Sequence, residues 1–136
     1  MLLRETGLCL KLLQSLAGLD LEVWTSVPAL IKKLGIQRSH GTKLVQRLVK
    51  LNYVSTRRGS GGGVRLHIGK KDNTFLEVAR DLGDPFVQGS HCVMGGRPCD
   101  AVNHCPLHKA WKAKHAKILE LLETPFTTTL QPSPDC

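Results

Sequence analysis

"LVQRLVKLNYVSTRRGSGGGVRL", residues 44 to 66, changes its period in the middle. Leu44, Val45, Leu48 and Leu51 recur at helical spacing, so the first part predicts a helix with an apolar face. Tyr53 to Thr56 then has strand composition, and Val64, Leu66 and Ile68 alternate with Arg65 and His67 as a second strand does. Between the strands, Arg57 and Arg58 run into Gly59, Gly61, Gly62 and Gly63, a basic hairpin tip whose glycines permit positive φ and close backbone approach.

Upstream, Ser39 is placed to cap the helix of residues 40–51, and Ser26 to cap a shorter one over residues 27–34. Pro28 is tolerated in that first turn, and Gly35 ends it. Two short helices joined by a tight turn and followed by a two-stranded hairpin is the order of a winged helix-turn-helix, whose second helix enters the major groove. A helix over residues 4–17 precedes them, with Cys9, Leu12, Leu13 and Leu16 on one face. After the hairpin, Thr74 and Glu77 form a capping box for a fourth helix that turns Leu76, Val78, Ala79 and Leu82 inward, and Asp84-Pro85 closes it. The fold class expected is mainly α with one small β-hairpin.

Composition agrees with a nucleic-acid partner. Lysine and arginine number 19 against 11 aspartates and glutamates, a net charge of +8, and the sequence pI is near 9.5. On the helix of residues 40–51, Lys43, Arg47 and Lys50 share a stripe away from the leucines and suit phosphates. Ser39, His40 and Thr42, beside the small Gly41, stand at its N-terminus, His40 and Thr42 as candidate base-edge readers. In the wing, Arg57 or Arg58, with Gly61 keeping the tip slim, could reach a minor groove. Arg4, Glu5 and Lys11 interrupt the leucine-rich start, and nowhere do eighteen apolar residues run together. A soluble cytoplasmic chain without a membrane partner is expected.

Five cysteines, an odd number, argue for free, metal-binding or redox thiols over a disulfide framework. Cys92, Cys99, Cys105 and His108 make C-x6-C-x5-C-x2-H inside seventeen residues, "CVMGGRPCDAVNHCPLH". These spacings lack the tight knuckle usual at structural zinc and favour a loop draped over an iron-sulfur cluster, with zinc as the alternative cofactor. His91 and His104 compete with His108 as fourth ligand. Pro106 in a first helical turn would make Cys105 the N-cap of a last helix, where the dipole favours a thiolate. Cys9 is expected in the core, and Cys136 is a tail thiol. The last helix, residues 106–123, aligns Leu107, Trp111, Ile118 and Leu122, widened by Leu119 and Leu121, more apolar surface than a small wing domain covers. Packing against the same helix of a second copy is the economical reading, and such a homodimer would present two wings to a palindromic double-stranded operator.

The division expected is therefore a winged helix-turn-helix DNA-binding domain over residues 1–83, a cysteine-rich cluster-binding loop over 84–105, a dimerisation helix over 106–123 and an unstructured Pro/Thr/Ser-rich tail over 124–136.

Residues 44–66, with the RGxGGG-like wing, and the three cysteines followed by a tryptophan-bearing helix together resemble the Rrf2 family of bacterial winged-helix transcription regulators, typified by IscR and NsrR. The resemblance covers roughly residues 1–130. It implies a homodimeric regulator, not an enzyme, that senses iron-sulfur, redox or nitric oxide status through a cluster altering the pose of its DNA-reading heads. Cys92, Cys99 and Cys105 match the family's ligand cysteines, His108 falls where the IscR branch has a histidine ligand, and Arg58 is the wing arginine. That pattern implies 2Fe-2S. Leu8 stands where NsrR-like members carry an acidic ligand, so a 4Fe-4S site, the alternative, would draw its fourth ligand from His108 or a small molecule. Rival functions are a zinc-stabilised or thiol-switch repressor and, from another class, a small iron-sulfur electron carrier. A Ser-His-Asp set, a phosphate loop and paired carboxylates are not recognised in the sequence.

Overall fold

The computed structural model describes residues 1–89, 92–94, 99 and 102–128. Its chain divides into two compact units, Leu8–Asn73 with Pro125–Cys136, and Met1–Gly7 with Thr74–Thr124. Among the described residues the elements are α1 (Arg4–Ala17), α2 (Val27–Lys33), α3 (Arg38–Lys50), β1 (Val54–Arg57), β2 (Gly63–Leu66), a 3-10 turn (Ile68–Lys70), α4 (Phe75–Asp81), α5 (Pro85–Gln88) and α6 (His108–Leu121).

In the unit of Leu8–Asn73, α1 buries the four residues its spacing predicts, Cys9, Leu12, Leu13 and Leu16. Ser26 caps α2 as expected, its hydroxyl accepting from the Ala29 N–H. The cap of α3 differs: the helix starts at Arg38 with Gln37 at the N-cap and no side-chain cap, which places Ser39 inside the first turn. Its far end is closed by Asn52 at φ 60, with Tyr53 N–H donating to Leu48 O at 3.0 Å and Asn52 N–H to Val49 O at 3.0 Å. This paired bonding satisfies the last carbonyls and turns the chain sharply into β1.

β1 and β2 pair antiparallel in the register Val54↔Leu66, Ser55↔Arg65, Thr56↔Val64 and Arg57↔Gly63. Val54, Val64 and Leu66 are buried on one face, as period two requires. The second strand is shorter than expected: Ile68 leaves the sheet and opens the 3-10 turn, 63% exposed, because the His67 Nδ1 accepts from the Gly69 N–H and bends the chain. A third segment joins the hairpin through Thr25, which exchanges both backbone hydrogen bonds with Val64 at 2.8 Å. Gly63 makes that approach possible, since at φ 145 a Cβ there would stand 2.2 Å from Thr25 O. Arg65 lies over the Trp24 ring at 4.3 Å.

The expected unstructured tail is corrected at its near end. Phe126 is 1% exposed and sits edge-on to Tyr53 at 6.3 Å, while its N–H donates to Asn73 O and the Thr127 hydroxyl to Lys71 O. Burial of one aromatic ring is enough to order these residues. Residues 129–136, Cys136 included, lie outside the described residues.

In the other unit, Thr74 and Glu77 close the predicted capping box on α4, and Leu76, Val78, Ala79 and Leu82 are buried. Asp84 closes α4 as expected, its N–H donating to Ala79 O at 3.0 Å, and it also opens a further short helix. Its carboxylate, 1% exposed, accepts from the Phe86 N–H and the Leu3 N–H, each at 2.9 Å, and so holds the starts of α5 and α1 together. Asp84→Ala strands both donors and is expected to lower unfolding free energy by about 1–3 kcal/mol in urea titration, with Asp84→Asn recovering part of the loss. Leu76, Ala79, Phe86 and Val87 form this unit's core, with Leu2, Trp111, Ile118, Leu119 and Leu122 packed against it.

The last helix begins at His108, two residues later than expected, with Leu107 at its N-cap. Cys105 is therefore not the cap: its carbonyl accepts from the His108 N–H in the preceding turn. Part of the predicted stripe is taken up within the chain by the core, whereas Leu107 and Leu121 are exposed, Leu121 at 71%. No helix among the described residues is long and apolar enough to cross a membrane.

Candidate functional site

The 13 residues of α3 include no acid, and Arg38, Lys43, Arg47 and Lys50 give it four positive charges. Ser39, Lys43, Arg47 and Lys50 are exposed as their spacing predicts, while His40 and Thr42 are half-buried. Thr42 donates its hydroxyl to Arg38 O at 2.8 Å, so toward a ligand it offers a methyl and an acceptor. Gly41 serves packing: a Cβ there would lie 2.8 Å from three Ile31 atoms, so its absence lets α2 and α3 approach.

Two side chains missed from the sequence, Arg38 and Gln46, are exposed on α3 four residues either side of Thr42. The three form a ridge between an open polar hollow, which also takes in Ser39 and Lys43, and an apolar groove of about 520 Å³ walled by Val27, Pro28, Val45, Val49 and Val64. Stepping by four from Thr42 along the helix would have found both. In the wing, Arg57 closes β1, and Arg58 and Gly61 follow at the tip, all three exposed. Gly61 has φ 73 and a Cβ there would meet nothing, so the tip is slim.

The cysteine constellation lies in the other unit. Cys92, Cys99 and Cys105 are half-buried. The Cys99 thiol is pushed above its ordinary pKa by burial first, then by Cys92, with which it shares a hydrogen bond, and by Cys105. Cys99 thus lies within the field of both other thiols. His108 is held below the usual imidazole range by burial, then by His104 and Lys112, a shift toward the neutral form, the one that coordinates. Its ring stacks on His104 at 3.8 Å, and its Nδ1 is buried without a hydrogen-bond partner. Neighbouring thiols whose thiolate forms need a cation to balance their charge, and an unpartnered imidazole nitrogen, are the donor chemistry of a soft metal or cluster site. Among the described residues no three such side chains stand at coordinating geometry. His91, a rival ligand, lies outside the described residues.

A cavity of about 190 Å³ adjoins this cluster, lined by Cys99, His108, Trp111, His115, Val87 and Gln88 among others. His115 donates Nε2–H to Phe86 O at 2.7 Å and meets the Phe86 ring edge-on, tying α6 to α5 at the base of the cysteine loop.

The model of the Rrf2 family, described as iron-dependent transcriptional regulators, matches residues 2–131. The chain belongs to the Rrf2 family. This family's winged-helix members are DNA-binding transcription regulators rather than enzymes. The chain is 36% identical over 62 residues to the transcriptional regulator NsrR of Bacillus subtilis strain 168, a stretch covering 46% of this chain and 42% of that one. It is 37% identical over 96 residues to NsrR of Geobacillus kaustophilus, 65% of each chain. With protein aau3 of Rhizobium meliloti it shares 25% over 122 residues, 90% of this chain and 79% of the other. The first of these matches thus takes in less than half of its relative's length. Among solved structures, CymR of B. subtilis superposes with a TM-score of 0.73 at 19% identity, covering 93% of this chain and 92% of that one. IscR of T. potens gives 0.69 at 17%, covering 97% and 93%. At those identities the likeness is one of fold.

Proposed function

We propose that this Rrf2 protein is a cytoplasmic regulator whose DNA binding is set by an iron-sulfur cluster held by Cys92, Cys99, Cys105 and His108. The observation that carries the reading is that His108, whose Nδ1 is buried and unpartnered, lines one cavity with Cys99, whose thiol feels both Cys92 and Cys105. A bound cluster would supply oxidation-sensitive or nitrosation-sensitive chemistry in this loop; 2Fe-2S is favoured over 4Fe-4S. The chain's own part is mechanical. Residues 84–105, which begin with α5 and lead to α6, form the sensing segment, and His115 and Asp84 anchor α5 to α6 and to the start of α1. Residues 1–83 read DNA: Ser39, His40, Thr42, Lys43, Arg47 and Lys50 in the major groove, with Arg57, Arg58 and Gly61 in the wing. The exposed Leu107 and Leu121 of α6 support a homodimer across that helix, which fits a palindromic operator.

The test is to isolate the protein without oxygen and record its visible spectrum with iron, sulfide and zinc per chain. Brown protein with matching iron and sulfide supports the cluster and their ratio assigns its type; colourless zinc-loaded protein overturns it. A thiol switch is the second reading, favoured by the hydrogen bond joining Cys92 and Cys99, and metal-free protein with an oxidant-sensitive thiol count would establish it. For the wing, Arg58→Ala is expected to weaken binding uniformly across DNA sequences and to reduce the slope of log K against log salt by about 1. An unchanged slope removes Arg58 from the phosphate contacts.

A further inference from the structure

Arg38, Thr42 and Gln46 divide a hollow that takes in Ser39 and Lys43 from a groove walled by valines and a proline. The groove's walls are apolar side chains of α2, α3 and the wing, with Arg38 and Lys50 as the charges lining it and no acid among the lining residues. An apolar slot with cationic edges on an acid-free helix complements a ligand that carries phosphates outside and a methyl inside. Thymine in duplex DNA is such a ligand, because its C5-methyl is the one apolar group in the major groove. Gln46 stands on the ridge beside that slot, exposed and carrying both an amide donor and an amide acceptor. Adenine offers N6 as donor and N7 as acceptor, the pair that a glutamine carboxamide matches with two hydrogen bonds.

We propose that Gln46 is a specificity-determining residue that reads adenine, with the thymine methyl of the same base pair received by the groove wall of Thr42, Val45 and Val49. This rests on the reading of α3 as the DNA-contacting helix. Thr42 fits the role because its hydroxyl hydrogen is engaged by the Arg38 carbonyl, so its methyl and Val49 extend one apolar surface along α3. Arg38 and Lys50, at opposite ends of the slot, contact phosphates and carry no base preference.

The experiment is selection of binding sites from a randomised 30-base-pair duplex library by the full-length protein and by Gln46→Ala, each isolated with and without oxygen. The wild type is expected to enrich an A·T pair at a fixed position in each half-site, and Gln46→Ala to relax that position by roughly 5- to 100-fold while keeping its affinity for random duplex. Replacing the paired thymine by uracil, which deletes only the methyl, is expected to weaken wild-type binding several-fold. An unchanged A·T preference in Gln46→Ala overturns the role of Gln46, and indifference to uracil overturns the role of the groove. Failure of the wild type to enrich any sequence in either preparation overturns the underlying assignment of α3 instead, and this inference with it.

Discussion

Cys99→Ala is expected to remove visible absorbance, iron and sulfide together, while the far-ultraviolet circular dichroism and the unfolding midpoint of the apoprotein stay close to those of the wild-type apoprotein. Cys99 is the thiol on which the other two act: burial and then Cys92 and Cys105 push its pKa up, and it shares a hydrogen bond with Cys92. Protonated, the three thiols are neighbours with no charge to balance; as thiolates they repel, and only a bound cation resolves that repulsion. Deleting the shared member therefore removes a ligand and breaks up the trio. Its side chain is half-buried in the loop between α5 and α6, outside the core of Leu76, Ala79, Phe86 and Val87, so the fold has little to lose. Cys9→Ala is the matched control. That thiol is fully buried on α1 in the other unit, and its loss should lower stability by about 1–2 kcal/mol through a cavity while leaving the spectrum intact. Retained colour in Cys99→Ala would strike it from the ligand set.

Gly63→Ala should be the most damaging one-methyl change in the winged unit, lowering unfolding free energy in urea titration by about 2–4 kcal/mol. A Cβ would stand 2.2 Å from Thr25 O, and the φ of 145 lies outside what an alanine adopts readily. The backbone must move, and the movement separates Thr25 from Val64, where both mutual hydrogen bonds are 2.8 Å long. Val64 is also a wall of the apolar groove beside α3, so DNA affinity should fall with stability. Gly61→Ala separates backbone strain from this clash: its φ is 73, yet its Cβ would meet nothing within 4 Å, and about 1–2 kcal/mol is expected. Equal losses in the two variants would show that the approach of Thr25 contributes nothing.

Much of the fold was legible because its signals are local. The residues 4–17 helix matches α1, the Thr74 and Glu77 capping box formed as spaced, and the change of period after Leu51 located the hairpin. The start of α3 was misplaced, Ser39 drawing it two residues too late, and its stop at Asn52, a residue that tolerates the left-handed conformation, was not read. The misplaced features were those in which a nearby polar atom or buried ring outweighed propensity. The His67 ring ended β2 before Ile68, Asp84 opened α5, and the Tyr53 ring held Phe126 out of the tail.

For the candidate site, residue type and spacing were enough to nominate the wing arginines, the basic stripe of α3 and the cysteine cluster, because charge and donor chemistry belong to the side chain itself. Only the folded chain could show that Cys99 shares a field with Cys92 and Cys105, that His108 Nδ1 is buried and unpartnered, and that Gly41 and Gly63 exist to let backbones approach. The same holds for Arg38, Thr42 and Gln46, whose stripe becomes a ridge only when α2 and the wing raise an apolar wall beside it. Such features depend on distances between segments far apart in the chain, and a distance of that kind exists only after the core has closed.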